Sequence, residues 1–315
     1  MTRYILRRLG LALITLFILS VVVFMVSAVL PGSVGRAILG PFADQQAVDQ
    51  LNAELGVDGP IFTRYVSWAG GAVRGDFGDS YKFRAPVMDF VPTALFASIK
   101  LALMTLLLVV PLGIIGGTLA ALRQGKASDR VITISGLSLA VTPEFVIGIV
   151  LILIFAVNLG WLPAGGSAKG SVADQIKVLV LPAVTLTAIL FGYLARMARA
   201  GTIEALNADY ARTATLKGLP RRTVLGKHIL RNSLLPTIAV IATQMSYLLG
   251  GLLVTETLFN YRGLGLLISD AAGDRDIPML MGSVFIVGAL AMMFTLVADL
   301  LIAWLNPRVR LGGKQ

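Results

Sequence analysis

Long apolar runs separated by short polar connections set the pattern of this chain. Six runs, 9–30, 101–122, 131–159, 178–195, 236–255 and 279–305, are long enough as helices to cross a hydrocarbon layer of roughly 30 Å. The pattern predicts an all-α integral membrane protein with six transmembrane helices. Arg3, Arg7 and Arg8 ahead of the first run look like the start of a secretory signal, and Val26-Ser27-Ala28 loosely resembles a cleavage site. The run from Leu9 nevertheless exceeds the roughly 7–15 apolar residues of a signal core, so a retained signal-anchor helix is expected.

Composition agrees with this pattern. The chain is 56% apolar and 14% charged, where soluble domains carry about 25% charged residues. It has no cysteine and one histidine, His228, which excludes disulfides, thiolate chemistry and a His/Cys metal cluster. The net charge of +10 suggests nucleic acid until its distribution is considered. Residues 1–8, 123–130, 196–235 and 306–315 lie on one side of the predicted membrane and hold 17 Lys/Arg in 66 residues. On the other side, 160–177 and 256–278 hold 4 in 41. The longer 31–100 segment is discounted because the rule applies to short loops. Both termini and the 196–235 loop are therefore expected in the cytoplasm, and the charge reads as topology and attraction to the bilayer surface, with no nucleic acid as partner.

The 196–235 loop carries eight Lys/Arg against Glu204 and Asp209. Its pattern predicts a helix capped by Thr202 and running to Lys217, with Ile203, Leu206, Tyr210 and Ala214 on one face. Gly218 stands where a left-handed residue would end it, and Pro220 suits the first turn of a second helix reaching Leu235. Pro236 then opens the next span. The apolar stripe and tight turn suggest a knob for a protein groove.

Ionisable residues inside spans need an account. Glu144, after Pro143, either lines a translocation cavity, meets a paired subunit, or hydrates a kink. Gln244 and Tyr247 in the fifth span either line a path or join helices by hydrogen bonds. Asp299 near the end of the sixth span suits a structural pair with a basic residue. Gly113-x-x-x-Gly117 would let helices approach closely. Glu256 is expected to be a solvent residue at a helix end or a rim contact. Between the first two spans, residues 45–55 suggest a short helix and Gly75-Asp76-Phe77-Gly78-Asp79 a turn cluster.

Several motifs resemble one family. Asp209-Tyr210-Ala211-Arg212-Thr213-Ala214-Thr215-Leu216-Lys217-Gly218, then His228-Ile229-Leu230-Arg231-Asn232-Ser233-Leu234-Leu235-Pro236, resembles the EAA loop of ABC-importer permeases, in detail the dipeptide/oligopeptide (peptide/nickel) branch. Arg3-Tyr4-Ile5-Leu6-Arg7-Arg8, Leu30-Pro31-Gly32, Gly75-Asp76-Phe77-Gly78 and Leu159-Gly160-Trp161-Leu162-Pro163 are similar to motifs of that branch. So are Glu256-Thr257-Leu258-Phe259, Gly263-Leu264-Gly265 and Asn306-Pro307-Arg308-Val309-Arg310. Arg212 and Thr213 stand where the generic motif has Glu and Ala, and Arg231 where it has its first proline. The peptide branch commonly shows this form.

The resemblance implies a type I ABC-importer permease fold, with residues 1–95 as first helix plus external segment, 96–305 as the transport core and 306–315 as a cytoplasmic tail. It implies a multi-pass subunit in a bacterial or archaeal plasma membrane, the inner membrane of a Gram-negative cell, carrying peptides or peptide-like solutes. Its implied partners are a second similar permease, two ABC ATPase subunits and an external solute-binding protein. Asp209, Tyr210, Arg212, Ala214, Gly218 and Pro220 would couple to the ATPases. No cofactor is expected on this chain, since ATP and Mg would be used by the ATPases. The chain agrees: Gly125-Lys126 is followed by Ala127 and preceded five residues earlier by Ala120, so no G-x-x-x-x-G-K-[ST] loop is present. A stand-alone secondary transporter or a membrane scaffold is the alternative, but neither explains the basic loop.

Overall fold

A computed structural model describes the backbone of residues 2–29, 34–40, 42–54, 56, 59–166 and 170–305. The motifs at Leu30-Pro31-Gly32 and 306–310, and the tail 306–315, lie outside the described residues, as do the side chains of Pro236 and Tyr247.

The described chain is helical. In order come α1 (Thr2–Val29), α2 (Val34–Leu39), α3 (Gln45–Glu54), α4 (Ile61–Val73), α5 (Val91–Leu122), α6 (Ala127–Val141), α7 (Glu144–Leu151), α8 (Val172–Asn207), α9 (Asp209–Leu216), α10 (Arg221–Thr223), α11 (Arg231–Leu258), α12 (Leu264–Gly273) and α13 (Ile277–Leu305). Among the described residues, four stretches are long and apolar enough to cross a membrane: Ile5–Ala28, Val87–Leu122, Val172–Asn207 and Ile277–Leu300. The fifth expected span lies within α11, whose 28 residues rise about 42 Å.

The third expected span, 131–159, is not one straight helix. It divides into α6 and α7 with a bend of 106° at Thr142-Pro143. Proline disfavours a helical conformation for the residue before it, and Thr142 is extended at φ −76°, ψ 131°. After α7 the helix widens to π geometry over Ile152–Asn158.

The core is built on α5, α8 and α11. Leu101 and Val109 meet Leu186, Leu190 and Leu194 of α8 and Leu248 and Leu252 of α11. Glycines set the closest approach. A Cβ on Gly117 would lie 2.3 Å from the Ala195 carbonyl oxygen, and one on Gly192 would lie 2.1 Å from that of Gly136. Thus α5 and α6 both press backbone to backbone on α8, where lipid supplies no hydrophobic drive and close packing must do so. A charged hydrogen bond pair locks the same helices at one end: Arg199 Nε and Nη2 donate to Asp129 at 2.7 and 2.9 Å, and Asp129 also accepts from Gly125 N at 2.9 Å.

The segment before α5 folds as a cap. Gly75 and Gly78 both have φ of +82°, and Gly78 N donates to the Asp76 carboxylate at 2.9 Å, which makes the expected turn cluster. Buried Asp276, just before α13, accepts from Met279 N at 3.3 Å and from Tyr81 N at 3.1 Å, and bonds to Ser80 Oγ. It thereby caps α13 and fastens the loop at 80–82 to it. Beside it Lys82 donates to Asp274 at 2.5 Å, and that hydrogen bond raises the Lys82 pKa above its ordinary value.

Replacing Gly117 with Val should be poorly tolerated, since overpacking costs about 1–3 kcal/mol or more where backbone blocks relief. We expect a lower thermal midpoint for the detergent-solubilised chain by size-exclusion fluorescence. An unchanged midpoint would show that the α5–α8 contact is looser than the structure indicates.

Candidate functional site

The basic loop begins differently from its local signals. α8 does not restart at Thr202; it runs on through it to Asn207, 36 residues and about 54 Å in all. Thr202 Oγ1 donates to the Ala198 carbonyl one turn back, at 2.6 Å, so its hydroxyl caps nothing. The chain instead breaks at Ala208, extended at φ −75°, ψ 148°, and α9 starts at Asp209. This break shifts the helix register. Tyr210, expected on the apolar face, is exposed, whereas Ala211 and Ala214 are buried against Ala205, Val224 and Ile229. Two alanines let α9 lie close to its support.

α9 ends in a Schellman turn. Gly218 has φ +72°, its N–H donates to the Thr215 carbonyl at 3.0 Å, and Leu219 N donates to the Ala214 carbonyl at 3.4 Å. Pro220 is the N-cap of α10, at φ −62°, ψ 141°. The second helix does not stop at Leu235. From Arg221 the chain stays helical through a π segment, Val224–Leu230, directly into α11. The loop is therefore a short helix hung between two long ones. Asp209, Arg212, Thr213 and Leu216 point outward, with Leu216 79% exposed. An open groove of about 610 Å³, lined by Leu122, Ala211, Arg212, Thr215 and Arg221, runs beside α9.

Glu144 is the first residue of α7, at the bend. Its carboxylate accepts from Thr255 Oγ1 of α11, and it lines a cavity of about 260 Å³ with Thr142, Pro143, Leu186, Ile189 and Leu248. Gln244, one turn before Leu248, is partly buried and does not line that cavity. Asp299 forms an ion pair with Arg8, which joins α13 to α1.

Glu256 is not a solvent residue. It is fully buried, with Oε1 accepting from Ser98 Oγ at 2.5 Å and Oε2 from Gly265 N and Leu266 N at 2.6 and 3.2 Å. Ser98 Oγ in turn accepts from Leu264 N at 2.8 Å. The first three N–H groups of α12, which no helical carbonyl can satisfy, are thus all bound, and the carboxylate sits at the positive end of that helix. A Cβ on Gly263 would stand 2.1 Å from Glu256 Oε1, and one on Gly265 would stand 2.4 Å from Leu253 Cα. The Glu256 and Gly263-Leu264-Gly265 motifs are therefore one hydrogen-bonded unit. Two glycines shortly after a span-end glutamate were the available sign of it. Ser98, Asp129, Arg199 and Asp276 had no comparable local sign.

With this geometry in place, likeness to known proteins is informative. Residues 113–311 match the family model of the binding-protein-dependent transport system inner membrane component, and residues 1–102 match the model of its N-terminal region. The chain is 36% identical over 313 residues to the glutathione transport system permease protein GsiC of Escherichia coli K12, covering 98% of this chain and 99% of that protein. The Shigella dysenteriae protein of the same name matches to the same extent. Among solved structures, an amino acid ABC transporter crystallised with histidines aligns over 70% of this chain and 94% of its own, at 16% identity and a TM-score of 0.49.

Removing the Glu256 carboxylate strands buried N–H groups at about 1–3 kcal/mol each. Glu256→Ala should therefore lower the thermal midpoint strongly, and Glu256→Gln less, because an amide oxygen still accepts. Equal midpoints for Glu256→Ala and the native chain would refute the clamp.

Proposed function

The chain belongs to the binding-protein-dependent transport system inner membrane components, multi-pass permeases of the bacterial inner membrane, and from that premise we propose that it imports peptides or peptide-like solutes using ATP hydrolysed by two docked ATPase subunits. The observation that carries the coupling role is α9 itself. Its alanine face is fixed to the bundle, its turn is held by Gly218, and its Asp209, Arg212 and Leu216 face is left for a partner. In this proposal Tyr210 and Pro220 flank the contact and Ala214 holds it from behind.

The six apolar runs and the Lys/Arg distribution support six spans with both termini in the cytoplasm, a topology in which α9 lies on the ATPase side. A second, similar permease completes the pathway, and a solute-binding protein delivers cargo to the opposite face. ATP and Mg stay on the ATPases. Glutathione, the solute in the relatives' name, is itself a small peptide, which supports the substrate class. Glu144, at the bend and beside a cavity, is the candidate for meeting a substrate amine, with Gln244 and Tyr247 as further path residues.

Affinity purification of the tagged chain in detergent should recover a second permease and Walker-motif ATPases. A chain that purifies alone would overturn the proposal. Gly218 gives the sharper test, because nothing lies within 4 Å of a Cβ built there, so substitution probes backbone strain without a clash. A left-handed conformation costs an ordinary residue about 1–2 kcal/mol. Gly218→Val is expected to abolish uptake while the chain still reaches the membrane, and Gly218→Asn, which tolerates that conformation, to retain most of it. Full uptake by Gly218→Val would remove the loop from the coupling path.

A further inference from the structure

Helix α4 presents three distinct faces. Tyr65, Trp68 and Ala72 pack inward: Tyr65 Oη bonds to Ser20 Oγ at 2.9 Å, its ring lies edge-on to Phe24 at 5.5 Å, and Trp68 lies edge-on to Phe285 at 5.8 Å. Thr63, Arg64 and Ser67 form a polar face that lines an open cavity of about 550 Å³ with Asp76 and Tyr81. Phe62, Val66 and Val73, which share a side at helical spacing, project away from the protein at 77%, 51% and 89% exposure.

The depth of these contacts identifies what covers the third face. Ser20 precedes Ala28, the end of the first apolar span, by eight residues, or about 12 Å of helix rise. Phe285 follows Ile277, the start of α13, by the same eight residues, again about 12 Å. Two spans thus independently place the inner face of α4 below the level at which their own apolar segments end. Near that depth Phe17, Ile18 and Val22 of α1 are likewise apolar and exposed. The Phe62 face bears no charge, whereas Thr63, Arg64 and Ser67 are gathered on another side, as in helices that lie in a bilayer interface.

We propose that α4 is an interfacial membrane anchor, with Phe62, Val66 and Val73 immersed in the acyl chains of the leaflet bordering residues 34–86 and Thr63, Arg64 and Ser67 turned to the aqueous cavity. This segment is thereby a membrane-seated cap rather than a freely projecting external domain.

The absence of native cysteine makes the test direct. Single variants Phe62→Cys, Val66→Cys, Val73→Cys, Thr63→Cys and Ser67→Cys of the full chain would carry nitroxide labels in nanodiscs of phosphatidylethanolamine and phosphatidylglycerol. Collision with oxygen, which concentrates in lipid, is compared with collision with a water-soluble nickel chelate. We expect the oxygen-to-nickel ratio at 62, 66 and 73 to exceed that at 63 and 67 severalfold. Should one apolar variant fail to accumulate, the other two sample the same face. Ratios at 62, 66 and 73 equal to those at 63 and 67 would mean a water-exposed face and overturn the proposal. Immobilised labels shielded from both reagents would mean a protein partner covers it, and would overturn it too.

Discussion

In a bilayer no water is at hand to satisfy a loose backbone group, so each place where a helix starts inside the protein must bring its own partners. Glu256 meets that constraint for α12, and much else rests on it. Its two oxygens and the Ser98 hydroxyl hold the first turn of α12 against α5 and α11. That turn fixes the direction in which the chain leaves toward α13. Asp276 then performs the equivalent task at the start of α13 while holding the loop at 80–82. Two buried carboxylates at successive helix starts thus connect the transport core to its cap.

The packing of the core follows a complementary rule. Where α5 and α6 meet α8, glycines replace side chains and the backbones touch. These contacts, with the Asp129–Arg199 pair at one end of them, make α8 a rigid post. The same helix continues to Asn207 and carries α9 at its end.

Much of this was legible in the sequence, for reasons that can be named. Gly218 announced itself because a left-handed turn selects glycine and Pro220 follows it. The close α5–α8 approach was visible in Gly113-x-x-x-Gly117. Thr202 misled because a threonine caps a helix only where the helix begins, and packing against α11, with Ser233 of α11 against Gly201, carries α8 past it. The 106° bend was hidden because apolar content gives the length of a run and not its direction, although Pro143 stood in the middle. Glu256 was misjudged because its partner Ser98 lies 158 residues away. A span-end acid looks solvated until the chain that buries it is placed.

The Arg8–Asp299 pair joins the two ends of the described bundle. A ribosome makes Arg8 long before Asp299, so the pair forms only after every intervening helix has been made. Contact between α1 and α13 therefore awaits the synthesis of α13. A chain arrested before α13 lacks both this ion pair and the Phe285 surface on which Trp68 rests, leaving its first helix and the α4 cap without their common seat. The α1 and α4 surfaces thus gain their shared seat only once α13 is in place.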